Sequence, residues 1–177
     1  MSINSIFFAY KFQYKIHIVL LYLLLYYILM KKLNIVDFIK ENIDIVCKID
    51  KTSSCYNWTK NMFLNEFENK NSFFKILLSD NIVAGYIIYH IIIDEAEILN
   101  IVIDEKLKKQ KLGSFLLEQT VKDILSKNIK TIFLEVGENN IPAINLYLKF
   151  GFEQYNIRKN YYKNGENAIL MKRQVKE

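Results

Sequence analysis

A pair of apolar runs separated by a short polar turn constrains the fold most. Phe73–Leu78 and Ile82–Ile93 are apolar, and Ser79-Asp80-Asn81 stands between them. Polar residues of this kind favour a turn, so the pattern predicts two strands that pair antiparallel. Asp94-Glu95 predicts another turn, followed by a strand over Ala96–Ile103. The chain is therefore expected to fold around a sheet that begins with antiparallel strands.

The rest of the chain alternates between helical and extended patterns. We predict a strand over Leu33–Phe38, helical spacing over Ile39–Ile49, a helix capped by Thr59, a helix over Leu112–Lys127, strands over Thr131–Val136, Phe152–Ile157 and Ala168–Lys172, and a short helix before Gly151. Apolar residues make up 51% of the 177 residues, and there is one proline. These features indicate one α+β domain with a mixed sheet and a substantial core.

Charge and cysteine content limit the classes of function. The net charge of +5 fits an acidic or nucleic-acid-associated partner, or lysines spread over a solvated surface, and we favour the lysines. No long block of like charge occurs, so we predict no direct nucleic-acid binding. Cys47, Cys55, His17 and His90 have no metal-ligand spacing, so no metal site is predicted. Unpaired cysteines indicate a reducing compartment, and we expect a cytoplasmic protein.

An apolar run lies near the N-terminus. Ile16–Met30 is interrupted only by His17, and lysines stand on both sides of it. A membrane-spanning helix needs about 20 apolar residues, so this run is short. It could be a weak membrane anchor, an added helix, or an upstream extension of a chain whose translation starts at Met30. We favour the last, with residues 1–29 as the extension and 30–177 as the domain, so membrane contact is expected only if residues 16–30 are translated.

A strand, a polar turn and a short helix carry the candidate chemistry. Glu135 lies at the end of the predicted strand Thr131–Val136, and Tyr147 lies on the helix that follows. An acid and a phenol on neighbouring elements could remove one proton and deliver another, which predicts an enzyme. The alternatives are a glutamate paired with a lysine and a core tyrosine. Asn140, at the start of the helix, could cap it or bind a ligand.

Five segments in the same order resemble the GNAT acetyltransferases, and within them the bacterial ribosomal-protein alanine N-acetyltransferases. The segments are Trp58-Thr59 with Phe63, Asp94–Ile103, Leu134–Phe152, Arg158–Tyr162 and Glu166–Met171. The likeness runs from about Met30 to Arg173, which is essentially the whole domain.

The resemblance implies that acetyl-CoA binds where two parallel strands splay apart. The residues implied in donor binding are Ile101, Val102, Ile103, Lys108, Lys109, Gln110, Lys111, Leu112, Gly113, Ser114 and Asn140. Open strand backbone would pair with the pantetheine amides, and the next helix N-terminus would bind the pyrophosphate. Lys111 stands where the family has a glycine. It is expected to take another backbone path or to carry strain, offset in part if its ammonium meets a phosphate.

The resemblance also assigns roles around the acceptor. Glu135 is implied as the base and Tyr147 as the acid that protonates the departing thiolate. Tyr161 and Tyr162 could wall the acceptor groove or pack the hairpin, and Gly137 stands where the family usually has arginine. The expected reaction is direct transfer in a ternary complex to the N-terminal alanine of a small-subunit ribosomal protein. Transfer to lysine side chains or small amines, or donor binding without turnover, are the alternatives.

Overall fold

The computed structural model describes residues 32–54 and 56–175. Residues 34–177 form one compact unit, and residues 1–33 are assigned to another. The apolar run Ile16–Met30, the proposed start at Met30 and Cys55 lie outside the described residues. Within the described ranges, no helix is both long and apolar enough to cross a membrane.

Seven strands and four helices make up the described fold. The strands are β1 Leu33–Asp37, β2 Ser72–Ser79, β3 Ile82–Ile92, β4 Glu95–Ile103, β5 Thr131–Gly137, β6 Glu153–Arg158 and β7 Ala168–Gln174. The helices are α1 Ile43–Ser53, α2 Lys60–Glu68, α3 Leu112–Leu125 and α4 Ile141–Lys149, with short 3-10 turns at Lys40–Asn42 and Glu105–Leu107. The predicted helical stretch Ile39–Ile49 is thus a 3-10 turn followed by a helix that continues to Ser53.

All seven strands join one sheet in the order β1-β2-β3-β4-β5-β7-β6. The β2–β3 and β3–β4 pairs are antiparallel, β4–β5 is parallel, and β7 pairs antiparallel with both β5 and β6. The predicted α+β fold with a mixed sheet is confirmed. The turn predicted at Asp94-Glu95 lies instead at Ile93-Asp94, because Glu95 already pairs with Ile92 as part of β4.

Each face of the sheet packs against helices. On one face, Phe38, Phe63 and Phe74 form a core with residues of α1. Helix α2 begins as predicted, since the Thr59 side chain accepts a hydrogen bond from the Met62 amide. On α3, the buried residues are Leu112, Leu116, Leu117, Thr120, Val121 and Ile124, whereas Phe115 and Leu125 are only half-buried.

Helix α4 packs differently from its sequence pattern. Ile141, Ile144 and Leu148 fall on one face, yet Ile141 and Leu148 are about half exposed. The buried residue of this helix is Tyr147, whose ring packs edge-on against Phe152. The orientation of α4 therefore turns its phenol, rather than its aliphatic residues, toward the interior.

Strands β4 and β5 pair only at their beginnings. Glu95–Ile98 pairs with Thr131–Leu134, after which the two strands diverge. A bulge at Leu99 interrupts β4 at this point, because Ile88 pairs with Asn100 while Tyr89 pairs with Ile98. A bulge bends its strand and increases the local twist. The divergence opens a cleft in the middle of the sheet.

Candidate active site

A cavity of about 350 Å³ lies where β4 and β5 diverge. Its lining comes from five parts of the chain. The lining residues are Ser53, Ser54, Tyr56 and Trp58 around the α1–α2 connection, Glu97–Val102 of β4, Glu135 and Val136 of β5, Asn140 and Tyr147 at α4, and Arg158, Tyr161 and Tyr162 near the β6–β7 turn. The cavity thus brings together the predicted acid–base pair, Asn140, two donor-side strand residues and both predicted acceptor tyrosines. Ile103 and residues 108–114 lie outside its lining.

Glu135 lines this cleft, and its carboxylate already has a partner. Its side chain is 20% exposed and forms an ion pair with Arg158. The Tyr161 hydroxyl hydrogen-bonds to the same carboxylate, and this bond, with partial burial, raises the pKa of Tyr161. The partner of Glu135 is therefore an arginine and a tyrosine rather than a lysine. Sequence reasoning did not assign Arg158 to the site, although it begins the closing segment of the resemblance.

Tyr147 lies in an apolar environment within reach of the cleft. Its side chain is buried, although it also lines the cleft. Burial, with a smaller contribution from Tyr162, raises the pKa of Tyr147 well above that of a free tyrosine. The phenol therefore keeps its proton at neutral pH.

A buried carboxylate supports the wall of the cleft opposite α4. Asp50 is fully buried, and it accepts hydrogen bonds from the Tyr86 hydroxyl at 2.6 Å and from the Trp58 amide at 2.7 Å. The Asn100 side chain, which lines the cleft, donates to the Tyr86 hydroxyl at 2.9 Å. Asp50 thereby ties the α1–α2 connection to β4. Sequence reasoning missed it, although Asp50 falls seven residues after Ile43 on the apolar stripe of its helix.

Two tyrosines bridge the cleft from opposite sides. Tyr56 and Tyr162 stack with ring centroids 3.6 Å apart, and we call this pair the tyrosine clasp. The Tyr56 hydroxyl donates to Glu166 at 3.0 Å, and Glu166 accepts from the Asn139 amide at 2.9 Å. Gly137 makes this arrangement possible, because a Cβ there would overlap the Tyr56 hydroxyl and the Glu166 carboxylate. Tyr162 therefore both walls the cleft and packs the hairpin.

The donor-side loop keeps a left-handed backbone at the unusual lysine. Lys111 is the N-cap of α3 with φ 62° and ψ 9°, and Lys109 also has φ 62°. Lys111 thus adopts a conformation suited to glycine, at the cost of strain. Gly113 packs beside Ile103 and Leu146. The open edge of β4 after Leu99 and the N-terminus of α3 fit a ligand with amides at one end and phosphates at the other.

The remaining predicted residues have structural partners. The Asn140 side chain accepts from the Ala143 amide at 3.3 Å, so it caps α4 while it lines the cleft. Lys108 pairs with Glu105 and donates to the Ser53 carbonyl. His90 contacts Glu66 and Asn69, as expected for a structural histidine. Within residues 32–54 and 56–175, no three His, Cys, Asp or Glu side chains are grouped as metal ligands.

Comparison with known proteins agrees with this geometry. The sequence profile described as the acetyltransferase (GNAT) family matches residues 43–152. A Bacillus subtilis protein, whose name gives ribosomal protein bS18-alanine N-acetyltransferase as a provisional activity, is 39% identical over 74% of this chain and 88% of its own length. The Escherichia coli ribosomal protein bS18-alanine N-acetyltransferase is 31% identical over 70% of this chain and 84% of its own.

Solved structures show the same likeness. The crystal structure of the E. coli ribosomal-protein-S18-alanine N-acetyltransferase superposes with a TM-score of 0.77 at 27% identity, covering 82% of this chain and 96% of the other. The structure of Ard1 from Thermoplasma volcanium gives a TM-score of 0.76 at 28% identity, covering 82% and 99%. Sequence profile, relatives and fold agree, and the chain belongs to the GNAT family of acetyltransferases.

Proposed function

We propose that this protein transfers acetyl from acetyl-CoA to the N-terminal alanine of ribosomal protein bS18, with Glu135 as base and Tyr147 as acid. The observation that carries the proposal is that both side chains meet in one cleft where β4 and β5 diverge. The names of the relatives give the acceptor. Because that acceptor is a ribosomal protein, we assign the activity to the cytoplasm.

Donor binding is assigned to the open part of β4 and the start of α3. Acetyl-CoA supplies the activated acetyl group. The backbone of Ile101, Val102 and Ile103 pairs with the pantetheine amides, and an amide directed at the thioester oxygen stabilises the charge that develops there during attack. The amides of residues 108–114 and the Lys111 ammonium meet the pyrophosphate.

Glu135 prepares the acceptor amine. An ammonium cannot attack a thioester, and an α-amino group has a pKa of about 8, against about 10.4 for lysine. Glu135 takes a proton from the amine directly or through one water, which a carboxylate that lines the cleft can do. The acceptor amine has to compete with Arg158 for this carboxylate. Arg158 therefore holds Glu135 in place until the acceptor arrives.

Tyr147 completes the transfer. The amine nitrogen forms a bond to the acetyl carbon, the carbon–sulfur bond breaks, and the departing thiolate takes the proton of the Tyr147 hydroxyl. The raised pKa of Tyr147 keeps that proton available at neutral pH. Both proton transfers use side chains of this chain. Glu135 then releases its proton to solvent and Tyr147 takes one back, and no covalent enzyme intermediate is required.

The tyrosine clasp supports an N-terminus as the acceptor. Tyr56 and Tyr162 stack at the cleft, and Tyr161 lies beside Glu135. The stacked pair leaves no space between its two rings, so it closes one side of the cleft. A cleft closed in this way suits the free end of a chain better than its middle.

The test is thiol release from acetyl-CoA with an alanine-starting peptide, beside the same peptide with a blocked N-terminus. We expect turnover only with the free terminus. Glu135→Gln should lower kcat by about 10²- to 10⁴-fold, whereas Glu118→Gln, which changes an exposed glutamate of α3, should leave it unchanged. Turnover of free lysine or of the blocked peptide would contradict the proposed acceptor. Donor binding without any thiol release would contradict the enzymatic reaction.

A further inference from the structure

A second groove of about 290 Å³ continues from the catalytic cleft across the same face of the sheet. Glu97, Glu135 and Arg158 line both cavities. The groove extends from these shared residues past Phe133 and Tyr155 toward the beginning of β4. A chain whose N-terminus lies at Glu135 therefore has a continuous surface along which its next residues can run.

The strand register builds this groove. His90 pairs with Glu97, Glu97 with Phe133, and Phe133 with Lys172, so the four residues form one row across β3, β4, β5 and β7. Residues directly opposite each other in a sheet point to the same face. Glu95 lies two residues before Glu97 and shares that face. The row therefore places Glu97 of β4 beside Phe133 of β5, on the same face as Glu95.

The floor of the groove is apolar and partly open to solvent. Phe133 and Tyr155 pack edge-to-face with ring centroids 5.9 Å apart. Ile92 and Tyr155 remain about half exposed. Rings in this setting can pack against the alkyl stem of a long cationic side chain and attract its charge.

Most other charges around the groove are already compensated. Glu66 contacts His90, and Glu135 contacts Arg158. Lys172 lies over the Tyr155 ring, 5.8 Å from its centroid. Glu95 and Glu97 are exposed and take part in no ion pair within the part of the chain that the structure describes. The β4 side of the groove thus carries two uncompensated negative charges.

We propose that this groove binds the acceptor residues that follow the N-terminal one, and that Glu95 and Glu97 select a lysine or arginine among them. The assignment rests on the proposed function. The groove is continuous with the cleft, which identifies the acceptor chain as the ligand of the groove. An extended chain advances about 3.3 Å per residue and therefore reaches the groove within a few residues of the reacting amine. Charge complementarity gives the preference.

The experiment compares alanine-starting peptides that differ at one downstream residue, with lysine, glutamine or glutamate placed at each following position in turn. We expect kcat/KM to fall from lysine to glutamine to glutamate at one or two positions, by about threefold per step for an exposed charge pair. The lysine-to-glutamine ratio should fall toward unity in Glu97→Gln or Glu95→Gln. It should reverse in favour of glutamate in the Glu95→Lys/Glu97→Lys double variant, and it should weaken as salt is added.

Glu118→Gln is the matched control, because it removes the same charge from the exposed face of α3 and should leave the ratio unchanged. Equal kcat/KM for lysine and glutamate peptides at every position would overturn the assignment of the groove while leaving the acetyltransferase proposal intact. A preference that persists in the double variant would overturn it as well. Absence of turnover with every peptide would overturn the proposed function, and this inference with it.

Discussion

Tyr147 is a phenol whose surroundings oppose its ionisation, and this has a consequence for the pH dependence of turnover. An ordinary tyrosine titrates near pH 10, and burial raises the pKa of Tyr147 above that. We expect kcat to rise as the acceptor amine becomes neutral, near pH 8, and then to stay level to about pH 10. Tyr147→Phe should lower kcat by about 100-fold or more, whereas Tyr89→Phe, at a residue outside the lining of the cleft, should not change the profile. A decrease in kcat between about pH 8 and about pH 10 would contradict the role of Tyr147.

Lys111 carries the backbone strain expected of a side chain in a glycine position. A residue other than glycine with left-handed φ costs about 1 kcal/mol or more. Lys111→Gly should therefore raise the free energy of unfolding by about 1 kcal/mol, measured by urea denaturation. Lys111→Ala keeps the strain and should give no such gain. If the Lys111 ammonium contacts a phosphate, both variants should weaken acetyl-CoA binding by the same factor. If the two variants lose different amounts of affinity, the backbone conformation at residue 111 accounts for the difference.

Cleft residues that lie close together in the sequence were easier to predict than those that come from distant parts of the chain. Glu135, Asn140 and Tyr147 follow one another along the chain, so a strand–turn–helix pattern was enough to group them. Arg158 and Tyr56 reach the cleft through the β6–β7 pairing and the α1–α2 connection. Their position depends on tertiary packing, which local periodicity does not encode.

At the scale of elements, Gly137 connects β5 to the tyrosine clasp. A methyl group there would displace the Tyr56 hydroxyl and Glu166. We expect Gly137→Ala to destabilise the fold by about 1–3 kcal/mol and to raise the KM for the acceptor peptide while that for acetyl-CoA stays constant. Adding Tyr56→Phe removes the hydroxyl that the new methyl group would displace. The double variant should therefore recover part of the lost stability and part of the lost acceptor affinity. Equal increases in both KM values would instead indicate general disorder of the cleft.

Strand and helix positions followed from residue patterns, whereas the divergence of the strands at the cleft was expected only from the family resemblance. The polar turn Ser79-Asp80-Asn81 predicted the β2–β3 hairpin, and apolar runs predicted β4 and β5. The bulge at Leu99 left no pattern in the sequence, because β4 remains apolar through it. The spacing of the aliphatic residues of α4 indicates an apolar face, but two of them, Ile141 and Leu148, are exposed. The helix instead buries Tyr147 beside Phe152.

For the whole molecule, buried tyrosines set the alkaline limit of stability. Burial is the largest cause that raises the pKa of Tyr86, Tyr89 and Tyr147 in the folded state. Above about pH 10 the unfolded chain loses protons that the folded chain retains, so stability falls as pH rises. The contribution is fully present below that pH. Each group adds up to about 1.4 kcal/mol per pH unit.

Urea denaturation above pH 10 measures this loss. The free energy of unfolding of the wild-type protein should fall steeply with pH. Tyr89→Phe should make this fall less steep by up to about 1.4 kcal/mol per pH unit. Measurements below pH 9 supply the control, because the tyrosines are protonated in both states there. An unchanged slope in Tyr89→Phe would show that this phenol does not contribute.

The divergence of β4 and β5 leaves the two halves of the sheet joined by a short seam between Glu95–Ile98 and Thr131–Leu134. We expect the half that begins with β1 and the half that contains β5, β7 and β6 to open as separate cooperative units, which faster amide exchange near the seam would reveal. A donor bound along the open edge of β4, as we propose, would fill that gap as an added strand does. Because a ligand that binds only the folded state stabilises it by mass action, the supply of acetyl-CoA would then raise the folded fraction of this chain as well as its rate of turnover.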